Sequence, residues 1–231
     1  MLSNHPSRVH YDNQKMYRWK SWKGNTPFAP SWDISLYLDE LGNDITNDLN
    51  ELISAQDICI DPYRDEWMKY NIFSWDANII GVLSDRIYQI YSEYISELGY
   101  ELLPKNKIWI RGWGVALDEG EFLVHHAHSF HENTYLSGNI ALSDLQTTTD
   151  YYFPYIGWHF KYFKVPNTPG SITIFPSWLE HRVDRNTTGQ LRYSVGFDMF
   201  TEHTMDYILE NRNESSELQK TILLSKRMDM I

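Results

Sequence analysis

The chain has 231 residues, of which 42% are hydrophobic, so it is long enough to bury one sizeable core in a single domain. Its net charge of −11 disfavours nucleic acid and anionic membranes as partners, and the lack of a long apolar run or a signal-peptide core predicts a cytoplasmic protein. The single cysteine, Cys59, excludes an internal disulfide and a thiolate metal centre, so a metal would need histidine, carboxylate or water as ligands.

The N-terminal part, residues 1–104, is predicted to form an arm followed by supporting helices. Residues 1–33 are polar and aromatic with scattered proline and glycine, which is typical of an irregular arm. We expect this arm to pack in places through Tyr17, Trp19 and Trp22. Residues 34–38 alternate between apolar and polar side chains, and this pattern predicts a short strand.

Two helices are predicted from apolar residues spaced by three and four positions. Residues 44–54 form the shorter helix, and residues 76–98 form the longer one. The apolar stripe of the longer helix is interpreted as a packing face, and Gly99 is placed to cap its C-terminus. Residues 57–75, between the two helices, are rich in Asp, Pro, Tyr and Trp and predict a loop.

After Pro104 the sequence changes to short β-rich runs. Turn residues such as those at 118–120 and 186–189 separate the runs. The predicted strands cover residues 107–117, 121–128, 134–142, 158–165, 171–175, 181–184 and 190–200. Many short strands at this spacing indicate a sandwich or barrel. We therefore predict one domain over 1–231, with a β core over 105–200 and a helical or frayed tail over 201–231.

A cluster of histidines carries the chemical signal of the sequence. His125, His126 and His128 lie on one predicted strand, and His181 begins a later one. Because side chains alternate along a strand, His126 and His128 point to one face and His125 to the other. His181 would complete a metal site if the sheet folds back on itself, since neutral imidazole is a common metal ligand. Histidines exposed on a loop are the alternative.

The motifs around these histidines resemble the Fe(II)- and 2-oxoglutarate-dependent oxygenases, in particular a small bacterial and phage-type group. The matching pieces are His126-Ala127-His128, Leu136-Ser137-Gly138, Pro169-Gly170, Phe175-Pro176-Ser177-Trp178-Leu179, His181-Arg182-Val183 and Arg192. The resemblance covers roughly residues 105–200. It implies a mainly β, double-stranded β-helix fold with flanking N-terminal α-helices. It also implies an oxidoreductase, expected to be a hydroxylase, with Fe(II) as metal and 2-oxoglutarate as co-substrate.

The resemblance assigns roles to particular residues. His126, His128 and His181 would bind Fe(II), Arg192 would pair with the far carboxylate of 2-oxoglutarate, and Ser194 would hydrogen-bond that carboxylate. Arg192 and Ser194 are two apart on a predicted strand and so face the same way, and a guanidinium fork matches a carboxylate. Asn139 is a candidate for a further hydrogen bond to the co-substrate.

The third metal ligand is left open by the sequence. Most such oxygenases carry Asp or Glu two residues after the first histidine, where this chain has His128. The ligands could be three histidines, or Glu132 could supply the carboxylate. In a third arrangement the register shifts, so that His125 binds the metal and Ala127 takes the carboxylate position, as in iron halogenases.

The same residues also resemble the cupins. The first cupin motif matches, with one residue missing, at Gly120, His126, His128, Glu132 and Gly138, and the second matches in part at Gly170, Pro176 and His181. Both families share the fold and a metal, so the alternative function is a cupin-type metal-binding protein, a metalloenzyme that does not use 2-oxoglutarate, or a sugar-binding module. The Arg192 and Ser194 pair favours the oxygenase. A small-molecule or peptidyl substrate is expected.

Overall fold

A computed structural model describes residues 14–21, 26–28, 31–56, 71–129, 133–143, 147–153, 162–211 and 221–225. Within these ranges the chain forms eleven strands, three α-helices and two short 3-10 helices. In chain order the strands and α-helices are β1 (Met16–Lys20), β2 (Asp33–Glu40), α1 (Asn43–Ser54), α2 (Asn78–Leu98), β3 (Trp109–Leu117), β4 (Leu123–His126), β5 (Leu136–Ala141), β6 (Thr148–Tyr152), β7 (Tyr162–Pro166), β8 (Ser171–Pro176), β9 (His181–Val183), β10 (Arg192–Phe200), α3 (Glu202–Asn211) and β11 (Ile222–Leu223). The 3-10 helices are Ile72–Ser74 and Lys105–Lys107.

The strands pair into two antiparallel sheets. The larger sheet has seven strands in the order β1-β2-β8-β5-β10-β3-β11, and the smaller has four in the order β4-β9-β6-β7. Strands distant in sequence lie side by side in both sheets, because the chain winds back and forth between them. The predicted mainly β, double-stranded β-helix with flanking helices is confirmed.

The larger sheet separates two layers, because successive side chains of a strand point to opposite faces. On β10, Val195, Phe197 and Met199 pack into a core shared with α1 and α2. Helix α2 contributes its apolar stripe to that core, through Ile80, Leu83, Ile87, Ile90, Tyr91, Tyr94 and Ile95. The helix ends at Leu98 and is capped by Gly99, whose φ of 76° is the left-handed conformation that glycine adopts readily. The interpretation of this stripe as a packing face is confirmed.

The structure changes the interpretation of the N-terminal arm. Met16–Lys20 forms β1, paired with β2 at the edge of the larger sheet. Tyr17 and Trp19 are buried in a second apolar cluster together with Phe153 and Phe163 of the smaller-sheet region. Trp22, the third residue expected to pack, lies outside the described residues. Residues 17–20 alternate between aromatic and charged side chains, a pattern interpreted from the sequence as irregular. Pairing with β2 is what makes this segment a strand.

Strand β6, Thr148–Tyr152, lies between two predicted strands, 134–142 and 158–165, where the sequence indicated none. Its position between β7 and β9 supplies the backbone hydrogen bonds that hold it extended.

The described part of the tail is helical at α3, as predicted, and then adds β11 to the edge of the larger sheet. No helix in the described part of the chain is long and apolar enough to cross a membrane.

Candidate active site

Three histidines converge where β4 pairs with β9. His126, the last residue of β4, lies directly opposite His181, the first residue of β9. His128 follows β4 by two residues, and its backbone N–H donates to the Ser177 carbonyl at 3.0 Å. One ring nitrogen from each histidine lies within 4.8 Å of the other two, so the set could hold a metal ion.

Hydrogen bonds determine which ring nitrogen of His126 and His181 is free. Nδ1 of His126 lies 2.7 Å from the Val124 carbonyl, and Nδ1 of His181 lies 3.0 Å from the Leu179 carbonyl. A carbonyl only accepts hydrogen bonds, so each Nδ1 must carry the proton that it donates. The lone pair of each neutral ring is therefore on Nε2, the nitrogen available to a metal.

His128 is oriented by a buried carboxylate. Its Nδ1 lies 2.6 Å from Oδ1 of Asp198, which is on β10 of the other sheet. Burial opposes ionisation of Asp198, but the proximity of His128 and Arg111 outweighs it and holds the pKa of this carboxyl well below its usual range. Asp198 is therefore an acceptor, and Nδ1 of His128 is the donor.

Burial also determines the protonation of the other two rings. Burial is the main cause that lowers the pKa of His126, and burial together with the neighbouring His128 and His126 lowers the pKa of His181 well below its ordinary value. Both rings are therefore neutral at pH 7. A histidine must be neutral to bind a metal, so the folded protein already holds these two in the required form.

The histidines open into a cavity of about 830 Å³ whose opposite wall is the larger sheet. Along β10, the alternate residues Arg192, Ser194, Gly196 and Asp198 all line this cavity. Because side chains alternate along a strand, one face of β10 presents the guanidinium of Arg192, the hydroxyl of Ser194 and the carboxylate of Asp198. Gly196, which has no side chain, leaves a gap between the hydroxyl and the carboxylate.

Gly196 lies between Trp113 of β3 and Asn139 of β5 in the register of the sheet. A Cβ at this glycine would come within 2.8 Å of the Trp113 indole, so the absence of a side chain leaves room for the ring to lie beside the strand. The Trp113 indole lies 5.5 Å from the His128 imidazole between ring centroids. The glycine thus allows an aromatic wall next to the histidines.

Arg192 is the most unusual charged residue of the cavity. It is only 2% exposed, and its Nη1 has no hydrogen-bond partner among the residues the structure describes. Burial lowers its pKa to about 10, and no described carboxylate offsets this effect. When the Asn167 amide is oriented so that its nitrogen donates to Thr149, its oxygen accepts from Arg192 Nη2 at 3.3 Å. A buried, unpaired guanidinium is costly, so this position fits an anion.

Ser194 and Asn139, the other residues predicted to hold the co-substrate, also line the cavity. Ser194 is buried on the same face of β10 as Arg192. Asn139 is already engaged: its Nδ2 donates to Thr149 Oγ1 at 3.2 Å, and Tyr151 donates to its Oδ1 at 3.1 Å. The amide nitrogen carries two hydrogens, and among the described residues only one of them is engaged, so the other N–H is left for a ligand.

The structure places His125 outside the triad. Its Nε2 lies 3.1 Å from Oε2 of Glu180, and its ring lies 4.2 Å from that of Tyr152. The shifted-register arrangement, with His125 as the metal ligand, is therefore not the one this structure supports. Glu132, the alternative carboxylate ligand, lies outside the described residues.

Sequence reasoning assigned no role to Asp198, Arg111 or Ser137, which lie behind His128. Arg111 Nη2 pairs with Asp198 Oδ2 at 3.0 Å, and Ser137 Oγ lies 2.7 Å from Asp198 Oδ1. A signal was available for Asp198, since it lies six residues after Arg192 and hence on the same strand face. Nothing local to the sequence indicated that His128 would be its neighbour.

Comparison with known proteins agrees with this geometry. The sequence profile of a family described as "Putative 2OG-Fe(II) oxygenase" matches residues 111–198, the segment that carries most of the site. The resemblance to the Fe(II)- and 2-oxoglutarate-dependent oxygenases that the motifs indicated is thereby confirmed. No curated protein sequence matches the chain at a significant level.

Solved structures share the fold at low sequence identity. A prolyl-4-hydroxylase from Pseudomonas putida has a TM-score of 0.51 at 15% identity, over 72% of this chain and 87% of that one. A Trichoplax adhaerens prolyl hydroxylase, in complex with a hypoxia inducible factor peptide fragment, has a TM-score of 0.54 at 13% identity, over 74% and 86%. HygX from Streptomyces hygroscopicus, with nickel and 2-oxoglutarate bound, has a TM-score of 0.51 at 13% identity, over 72% and 82%. At these identities the likeness establishes a common fold.

Proposed function

We propose that this protein is an Fe(II)- and 2-oxoglutarate-dependent oxygenase. The observation that carries the proposal is the buried guanidinium of Arg192, which lacks a described carboxylate partner and lines the same cavity as the three histidines. A metal-binding protein without this co-substrate has no need of such a group. An oxygenase that binds a dicarboxylate beside its metal does need it, because the far carboxylate must be held.

The donor set fits a divalent transition metal such as Fe(II). His126 and His181 present Nε2 in neutral rings, and His128 presents its own Nε2 because its Nδ1 is bonded to Asp198. Imidazole nitrogens suit iron, and three protein ligands leave positions for a co-substrate and dioxygen. When bound, the iron supplies the oxidative chemistry that protein side chains lack.

The residues of β10 would hold the co-substrate. Arg192 would take its far carboxylate in a charge-assisted, two-pronged contact, which a guanidinium fork makes better than an ammonium. Ser194, on the same face, would add a hydroxyl donor, and the free N–H of Asn139 would add another. Each of these groups is fixed by the sheet before the ligand arrives, so little conformational entropy is lost on binding.

The remaining part of the cavity would receive a small-molecule or peptidyl substrate. Its lining there is apolar, with Leu117, Leu123 and Val183, and the exposed side chains of Phe122 and Val124 give it a hydrophobic rim. Such a lining excludes water from the reaction, and this protects a reactive centre from side reactions. Hydroxylation of that substrate is the expected reaction.

Succinate production tests the proposal. Purified protein supplied with Fe(II), ascorbate, dioxygen and 2-oxoglutarate is expected to form succinate, slowly without a substrate. The Arg192→Met variant is expected to bind metal as the wild type does but to lose succinate formation. A cupin-type metal-binding protein would bind the metal and form no succinate in either case, and that result would reject the oxygenase.

A further inference from the structure

Asp198 occupies the middle of a row of side chains that crosses three strands. In the register of the larger sheet, Asp198 of β10 lies opposite Arg111 of β3 on one side and opposite Ser137 of β5 on the other. Residues opposite each other in adjacent strands project to the same face, so all three side chains reach the cavity side of the sheet. The carboxylate is therefore held from both sides by its own sheet.

Each oxygen of Asp198 has two donors. Arg111 donates to Oδ2 through Nε at 3.1 Å and through Nη2 at 3.0 Å. His128 and Ser137 donate to Oδ1 at 2.6 and 2.7 Å. Arg111 thus binds Oδ2, and Oδ1 faces the imidazole of His128. The negative charge of the carboxylate is therefore directed at His128, on the side away from the guanidinium.

Two serines of the sequence motifs belong to this arrangement. Ser137 Oγ lies 2.9 Å from Ser177 Oγ as well as 2.7 Å from Asp198 Oδ1. A hydroxyl has one hydrogen, and an ionised carboxylate accepts only, so Ser137 donates to Asp198 and Ser177 donates to Ser137. The Ser177 carbonyl in turn accepts the backbone N–H of His128. Both motif serines therefore fix His128 and its carboxylate, away from the Arg192 end of β10.

We propose that His128 and Asp198 together replace the single carboxylate ligand of the usual oxygenase site, with His128 as the metal donor and Asp198 as a positioning residue that supplies the negative charge through it. This inference rests on the metal site of the proposed function. Three neutral imidazoles bring no charge to a divalent ion, whereas an ionised carboxylate bonded to Nδ1 makes the opposite nitrogen a stronger donor. The same bond fixes the orientation and tautomer of the ring.

A purely structural role is the competing explanation, because the His128–Asp198 bond also joins the two sheets. Asp150 provides the matched control. It is equally buried, and it pairs with Lys164 at 2.8 Å and with Arg182 at 3.0 Å. Within the described part of the chain its side chain bonds to Thr148, Lys164 and Arg182 and to no histidine of the triad, so its loss removes a buried ion-paired carboxylate away from the metal ligands.

The test is metal titration of the full-length, chelator-treated protein without oxygen, using Co(II) for its visible spectrum and Fe(II) for affinity. Asp198→Asn keeps the shape and removes the charge, and we expect metal affinity to fall about 10- to 100-fold with a shifted Co(II) spectrum. Asp150→Asn should lower the melting temperature and leave both readouts at wild-type values. If Asp198→Asn loses stability while keeping wild-type affinity and spectrum, Asp198 is structural and the inference is overturned.

Ser137→Ala covers the case in which Asp198→Asn does not fold. This variant keeps the charge and removes one donor to Oδ1, so the carboxylate becomes a stronger acceptor for the Nδ1–H of His128. The Co(II) spectrum should therefore shift in the direction opposite to that of Asp198→Asn, and an unchanged spectrum would count against the inference. Metal binding and 2-oxoglutarate binding by the wild type distinguish failure of the proposed function from failure of this inference. A wild type that binds metal with Asp198-dependent affinity but does not bind 2-oxoglutarate would refute the oxygenase and keep the dyad, whereas a wild type that binds no metal would remove both.

Discussion

The rings of His126 and His181 lie 4.4 Å apart between centroids, because the two residues are directly paired between β4 and β9. Backbone pairing of two short strands thus brings together residues more than fifty positions apart in the sequence. His125, one position earlier, is turned to the opposite side and contacts Glu180 instead. The strand alternation therefore separates neighbouring histidines into different environments.

Removing His181 is expected to abolish metal binding. The His181→Ala variant leaves two histidines of the triad, and it should bind Co(II) or Fe(II) too weakly to detect at micromolar protein. The anaerobic visible absorption band of an Fe(II)–2-oxoglutarate complex should vanish with it. His125→Ala is the control, because this ring is adjacent in sequence but lies outside the triad. A His181→Ala protein that retains the band would show that the ligands are wrongly assigned.

Replacing Arg192 is expected to separate ligand binding from stability. In Arg192→Met the anion contact is lost, and 2-oxoglutarate affinity should fall by about 30-fold or more, the equivalent of at least about 2 kcal/mol. The ligand-free variant should be as stable as the wild type or more stable, since an apolar side chain replaces a buried guanidinium that lacks a carboxylate partner.

Calorimetric titration with 2-oxoglutarate and urea unfolding measure these two effects. Arg182→Met is the matched control, because Arg182 pairs with Asp150 and does not line the cavity. It should keep 2-oxoglutarate affinity. If Arg192→Met binds the co-substrate normally, the assignment of Arg192 as the anion site is refuted.

The metal-free protein is expected to lose stability in mild acid. Burial lowers the pKa of His126 and His181 in the folded state, whereas in the unfolded chain both titrate near about 6.5. As the pH falls through that value, the unfolded state takes up protons that the folded state does not, so the free energy of unfolding falls. Above it both states are neutral at these residues, and the effect is absent.

The slope for each such histidine is at most about 1.4 kcal/mol per pH unit below about 6.5. Urea unfolding of chelator-treated protein at a series of pH values measures it, and His181→Phe should show a shallower dependence than the wild type. His203→Gln, which removes an exposed histidine outside the triad, is the control variant. Equal slopes in the wild type and His181→Phe would contradict the prediction.

Two glycines are expected to respond oppositely to substitution by alanine. A Cβ at Gly138, in the Leu136-Ser137-Gly138 motif, would overlap the ring of the buried Phe197. Gly138→Ala should therefore destabilise the fold by about 1–3 kcal/mol. Gly81, inside α2, has no atom within 4 Å of the added Cβ, so Gly81→Ala should stabilise the helix by about 0.5–1 kcal/mol. Thermal melts of the two variants check the signs, and a Gly138→Ala protein as stable as the wild type would refute the packing explanation.

Sequence by itself determined the elements whose signal is local. The apolar stripe of α2 follows from a helical period that is kept over the 21 residues of the helix, and the glycine after it predicts the cap. Most strands of the β core follow from the alternation of apolar and polar residues between turns. It also determined that His126 and His128 share one side, and that Arg192 and Ser194 share another, because strand geometry fixes the facing of residues two apart. The resemblance of the motifs to a known family then suggested roles for these two pairs, as metal ligands and as ligands of the co-substrate.

Only the tertiary structure decided which distant residues became neighbours. The pairing of His126 with His181, the bond from His128 to Asp198, and the engagement of Asn139 by Thr149 and Tyr151 all depend on the order of strands within two sheets. Strand order is set by burial and hydrogen bonding summed over the whole core, so no short stretch of sequence encodes it. For the same reason the sequence could predict a cationic Arg192 beside the histidines, but only the packed cavity revealed that its charge is buried without a described carboxylate partner.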